Sequence, residues 1–258
     1  MCPTLEKRPG PDKVRLTYMA VRLPGVSQSP LVQILMLSAN DAGLGERIHG
    51  LATALARAGH EVDLVAPEQL ASTVDETVNG MRVARVPEYP PFVPPSDRLA
   101  WALQLSAGML ERSTQMGAER RYDVIHAHGW ETSWAAAAAK NLFELPLVSS
   151  LRDCEYDRSA GSLDDVGRLV SQAEWWLTYE SRRTIVPDDG VRARVEEIFE
   201  LPAGKQVVIS ANLTSDVAAS HTAEVYAEAI ADEAERRRRG EDRPPLRVIL
   251  GRSQIVGS

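Results

Sequence analysis

Apolar residues follow two rhythms along this chain, short unbroken runs and stripes spaced by three or four, and the two alternate. Residues 31–38 (LVQILMLS) form a nearly continuous apolar run, the pattern of a strand in a parallel sheet covered on both faces. Leu44, Ile48, Leu51 and Leu55 then recur at helical spacing, which predicts a helix to about Ala58 with one buried stripe and Gly59 as its stop. Residues 61–66 supply the next strand and complete a βαβ unit. After the turn residues Asn79 and Gly80, the pattern predicts strands over 81–87, 122–127, 146–151, 184–186 and 206–209. Helices are predicted between them over about 96–117, from just after Trp130 to Phe143, over 163–181 and over 191–199. This alternation predicts an α/β fold, a doubly wound parallel sheet of Rossmann-like type over residues 31–209.

The two ends differ from this body. Residues 1–30 carry prolines and lysines but no continuous apolar core, and read as an arm without the features of a secretory signal. From residue 216 a strongly charged helix, about 222–239, precedes one more apolar strand over 246–250. Acids come early in that helix and the Arg236–Arg239 run late, matching the helix dipole. Glu228, Asp232 and Arg236 have i, i+4 spacing. The expected organisation is an arm (1–30), a Rossmann-like domain (31–215), and a segment (216–258) that is the remnant or the start of a second domain.

Composition narrows the function classes. A formal charge of −7 over 258 residues argues against a general nucleic-acid binder, which presents a basic face. Two cysteines, Cys2 and Cys154, build neither a disulfide framework nor a cysteine zinc site, and fit a reducing cytoplasm. No apolar run approaches the roughly 20 residues of a membrane span.

The stretch Asp123-Val-Ile-His-Ala-His-Gly-Trp130 places His128 at the carboxyl end of a strand, where open α/β sheets bind ligands. His126 is expected to stay within the strand under covering helices, while the turn at Gly129 swings His128 to the cleft, so that the two face opposite ways. The other reading is two histidines packed at a strand end. The loop Asp41-Ala-Gly-Leu-Gly45 either offers backbone N–H groups to a phosphate or makes a plain tight turn.

Several segments together resemble the amino-terminal half of the family-four retaining glycosyltransferases, the GT-B-fold relatives of glycogen synthase. They are Gly43-Leu-Gly45 with His49-Gly-Leu-Ala-Thr-Ala-Leu-Ala56, Gly59-His-Glu-Val62, the Asp123–Trp130 stretch, Leu145-Pro-Leu-Val148, and Glu174-Trp-Trp-Leu-Thr-Tyr-Glu180. The resemblance spans about residues 32–209. It implies transfer of a sugar from a nucleotide-sugar to an acceptor hydroxyl with retained anomeric configuration. In such families fixed cations and helix N-termini, rather than a bound metal or cofactor, stabilise the leaving diphosphate. By position it implies that Gly43, Leu44 and Gly45 lie near the diphosphate, that His128 is catalytic beside the donor sugar, and that Arg152, Asp153, Glu155 and Tyr156 form the acceptor loop.

There are departures. Ala39-Asn-Asp-Ala42 shortens the first loop, Gly129 stands where the family has aspartate, and Arg152 where histidine is common. Most of the donor-binding domain has no counterpart, although residues 248–252 (VILGR) resemble its first strand and turn. The implied partners are a nucleotide-sugar, a sugar acceptor and a donor domain, the last possibly on another chain. The alternative functions are a non-catalytic descendant binding a sugar, a nucleotide or a protein, and a general Rossmann-like binding domain.

Overall fold

The computed structural model describes residues 31–39, 45–68, 72–88 and 97–240. The strands are β1 (Gln33–Ser38), β2 (Glu61–Glu68), β3 (Val74–Val78), β4 (Met81–Pro87), β5 (Val124–His128), β6 (Leu147–Ser150), β7 (Arg183–Val186) and β8 (Gln206–Val208). The helices are α1 (Gly45–Arg57), α2 (Arg98–Glu119), α3 (Ser133–Phe143), the short α4 (Glu155–Arg158), α5 (Asp165–Glu180), α6 (Asp189–Phe199) and α7 (Ser215–Arg238). A single 3-10 turn, Trp130–Thr132, links β5 to α3.

The strands form one sheet in the order β3-β4-β2-β1-β5-β6-β7-β8. All pairs are parallel except β3 with β4. Helices cover both faces, so both sides of each central strand are sealed, which is why the first strand reads as an unbroken apolar run. Along β1, Leu35 and Leu37 face a core with Leu105 and Met109 of α2, Leu177 of α5 and Phe199 of α6. Ile34 and Met36 face the other core, with Leu55 of α1 and Ala223, Tyr226 and Ala229 of α7.

The doubly wound, largely parallel sheet is as expected, with one strand added that the apolar pattern did not predict: β3 is an antiparallel edge strand, paired through Val78 and Met81 across a two-residue turn. Asn79 (φ 49°) and Gly80 (φ 84°) both take the left-handed conformation that such a turn requires. Its side chains are mostly exposed and polar, so it carries no apolar run, and arginines hold it in place. Asp75 receives Arg82 and Arg112, and Glu76 receives Arg85.

The charged helix α7 begins at Ser215, seven residues before the expected start, and packs into the same core as β1. Its buried stripe is built from small residues (Ala219, Ala223, Ala229) around Tyr226, which lets it lie close to α1. A Cβ on Gly50 of α1 would come within 2.8 Å of the Ser215 hydroxyl. Glu228 and Asp232 pair with Arg183 of β7 and not with Arg236, which instead meets Glu233. The arm over 1–30 and the strand expected over 246–250 lie outside the described residues.

Candidate active site

The strand order reverses at β1, which has β2 on one side and β5 on the other. Connections leave this point in opposite directions, and the divergence opens a crevice at the carboxyl ends of the strands. His128 is the last residue of β5 and sits between Ser38 of β1 and Ser150 of β6. It lines a cavity of about 480 Å³. The carboxyl ends of β6, β7 and β8 contribute Ser150, Val186 and Ile209, and the first turns of α1 and α7 contribute Arg47 and Ser215.

The histidine pair differs from expectation. Strand pairing continues through His128, so the period of two places His126 and His128 on the same face, toward α7. Their ring centroids are 4.0 Å apart. The expected turn away from the sheet begins only at Gly129, whose φ of 85° ends the strand. His126 is fully buried, with Nδ1 2.7 Å from the Tyr226 hydroxyl and Nε2 2.8 Å from the Ser150 hydroxyl. His128 reaches the cavity wall, and its buried Nε2 has no hydrogen-bond partner among the described residues.

Burial lowers the pKa of both rings: well below the ordinary range for His126, helped by the neighbouring His128, and to about 3 for His128. Both are neutral imidazoles at physiological pH. Their contribution to stability is fully present above about pH 6.5, where the unfolded chain is also neutral, and is lost as pH falls. Burial acts in the opposite sense on Glu174, whose pKa rises to about 7 against the Glu155 N–H and Arg158. That carboxyl partly compensates the histidines between its unfolded value of 4.5 and pH 7. The melting temperature is therefore expected to decline gently from pH 6.5 to 4.5 and steeply below it, each uncompensated group contributing about 1.4 kcal/mol per pH unit. Glu174→Gln should steepen the upper part of that decline. A melting temperature that holds level down to pH 4 would contradict neutral burial of the histidines.

One wall of the cavity is an ion network. Asp97 caps α2 by accepting from the Ala100 N–H at 3.0 Å, which sets Arg98 in the first turn. Arg98 donates two bonds to Glu155, at 3.0 and 2.9 Å, and lies over the Trp130 ring. Arg158 bridges Asp153, Glu155 and Glu174, the last at 2.5 Å. Glu174 also accepts the Glu155 N–H through both oxygens. Burial pushes the Glu155 carboxyl up, but Arg98 and Arg158 outweigh it and hold the group below its ordinary value. The loop from Asp153 to Arg158 is thereby fastened to α2 and α5.

The residues singled out from the sequence separate into three groups. His128, Arg152 and Asp153 come together on the cavity wall. Arg152 keeps 59% of its side chain exposed and has one bond, to Asp153 at 3.3 Å. Glu155 and Tyr156 do not line the cavity: Glu155 turns into the ion network, and Tyr156 packs beside Gly161. Gly45 opens α1, next to the Arg47 that lines the cavity, whereas Gly43 and Leu44 lie outside the described residues. Sequence reasoning passed over Arg98, Trp130, Glu131 and Glu174. Glu174 carried a signal, since it falls inside the buried stripe Val170–Ala173–Leu177 of α5, where a charge requires a partner.

A family model described as a glycosyl transferase 4-like domain matches residues 42–212. An uncharacterised glycosyltransferase of Methanocaldococcus jannaschii is 33% identical over 174 residues, covering 65% of this chain and 41% of that protein. The glycogen synthase of Mycobacterium tuberculosis is 32% identical over 171 residues, covering 61% of this chain and 41% of its own length. The chain thus spans about two fifths of the curated relatives it matches. Among solved structures, a sucrose-phosphate synthase chain from Thermosynechococcus elongatus superposes with a TM-score of 0.57 at 17% identity, over 76% of this chain and 98% of that one.

Proposed function

The chain belongs to the glycosyl transferase 4-like family, and we propose that its cavity is the acceptor side of a sugar-transfer cleft, completed by a donor domain. The observation that carries this reading is the placement of His128. It stands at the reversal of the sheet order, on the wall of a cavity of about 480 Å³, as a neutral imidazole whose Nε2 has no partner among the described residues.

In this reading His128 is catalytic and contacts the sugar as a neutral hydrogen-bonding group while positive charge develops on the ring. The leaving diphosphate lies toward the start of α1 at Gly45, where helix N–H groups and the dipole favour an anion, and the family resemblance assigns Gly43 and Leu44 to the same role. Arg152 and Asp153 contact the acceptor, and Glu155 holds their loop in place through Arg98 and Arg158. Tyr156 extends the acceptor contact beyond the cavity. The donor domain, on this protein or on a separate chain, supplies the remaining cations.

Calorimetry with UDP-glucose and ADP-glucose tests this reading. At least one should bind the full chain, and His128→Ala should weaken it tenfold or more with the melting temperature nearly unchanged. The 258-residue chain by itself should show no sugar transfer. Each missing group that stabilises the departing charge costs a factor of about 10² to 10³. Robust transfer by this chain alone, or binding indifferent to His128→Ala, would refute the assignment.

A further inference from the structure

Three acidic side chains belong to residues lining the cavity, and two of them are committed. Asp153 accepts from Arg152 and Arg158, and Glu174 accepts from Arg158 and the Glu155 N–H. The Glu131 carboxylate makes no hydrogen bond or ion pair to another side chain among the described residues. Its position is nevertheless well defined. The residue sits in the turn after β5, and its carbonyl accepts the Ser106 hydroxyl of α2 at 2.9 Å. Its carboxylate folds back over Gly129, where a Cβ would stand 2.5 Å from Oε2. That space exists because residue 129 has no side chain. Immediately before Gly129 is His128, with its unpartnered Nε2.

We propose that Glu131 determines ligand specificity in this cavity, its carboxylate accepting hydrogen bonds from the hydroxyls of a neutral polyol such as a sugar ring. Glu131 is partly enclosed in the cavity wall, and a carboxylate there with no cation bound to it adds little to stability. Burial raises its pKa, against its own N–H and the more distant Arg158 and Arg98. Those two arginines are bound to Glu155, Asp153 and Glu174 and are not free to close on it. An anionic ligand group would be repelled here, whereas a hydroxyl supplies the missing donor. Two adjacent hydroxyls can fill both oxygens at once. The cavity is then divided, with hydroxyls read at Glu131 and anions accepted toward the Arg47 end.

This inference rests on the sugar-transfer reading of the cavity, and calorimetry on the full chain separates the two. The probes are UDP, UDP-glucose and maltotriose, against wild type, Glu131→Gln and Glu131→Ala. At least one of the two sugar-bearing probes should bind Glu131→Ala about tenfold or more weakly, with Glu131→Gln intermediate, as expected for loss of a hydrogen bond to a charged group. UDP should bind all three proteins within about twofold. Thermal melts of both variants should match or exceed the wild type, because the acid removed is not bound to a cation. Wild-type affinity for both sugar-bearing probes in Glu131→Ala would overturn the role of Glu131 and leave the sugar-transfer reading intact. So would an equal loss for UDP, or a marked fall in melting temperature. Failure of the wild type to bind any probe would remove the sugar-transfer reading, and this one with it.

Discussion

Truncating Tyr226 to alanine is expected to lower folding stability by about 3–5 kcal/mol, the range for deleting a buried aromatic side chain. Tyr226 is fully buried, and it is the largest of the α7 side chains in the core shared with β1, β5 and α1. Its removal opens a cavity under α7 and also strands Nδ1 of His126, which the hydroxyl meets at 2.7 Å. Tyr226→Phe separates the two effects. It keeps the packing and should cost about 1–3 kcal/mol, the penalty for one unpaired buried polar group. Urea unfolding of both variants checks this. A loss below 1 kcal/mol for the alanine variant would mean that α7 is not an integral layer of the domain.

Replacing Arg158 by alanine should produce the second large loss, about 3 kcal/mol at pH 8. One guanidinium serves Asp153, Glu155 and Glu174, and the last two keep only 5% and 1% of their side chains exposed. Removing one partner of a buried ion pair leaves charge without compensation, which typically costs about 3–5 kcal/mol. The lower end applies here because Arg158 is itself one-third exposed. The loss should also depend on pH. Glu174, already raised to about 7 by burial, takes up a proton when Arg158 is absent, so the variant approaches wild type toward pH 5. Melts at pH 5 and pH 8 would show this convergence. An equal loss at both pH values would mean that Arg158 acts through packing alone.

Much of this architecture was legible in the order of apolar runs and helical stripes. Strands buried on both faces announce themselves, as residues 34–37 do, because most of their positions are apolar. The strand β3 did not, because an exposed edge strand has no reason to be apolar, and only Asn79-Gly80 marked its hairpin. The reach of α7 was hidden for a related reason. Its buried stripe consists of alanines around one tyrosine, and small residues that permit close helix approach give little contrast against a charged helix.

At the site, His128 was legible because chain order alone places it at a strand end before a helix. Its shared face with His126 follows from the period of two and is hidden when the strand is ended at Ala127, one residue short of its observed end. Glu155 misled for a physical reason. A polar loop at a cleft reads as ligand contact, and only the distant Arg98, 57 positions away, reveals that its carboxylate is spent on holding the loop. Glu131 is inconspicuous in sequence because its importance comes from the space above Gly129 and from what its neighbours are already bound to.

The most direct test of the sugar-transfer cleft is the site at which a nucleotide-sugar touches the chain. Nitrogen-15 spectra of the histidine side chains and backbone amides, recorded while UDP-glucose is added, would locate it. Shifts are expected at His128, Gly129, Arg152 and Ser210, around the reversal of the sheet order, with His60 and the Trp175–Tyr179 stack unmoved. Shifts confined to that stack, or none at saturating ligand, would contradict the sugar-transfer cleft.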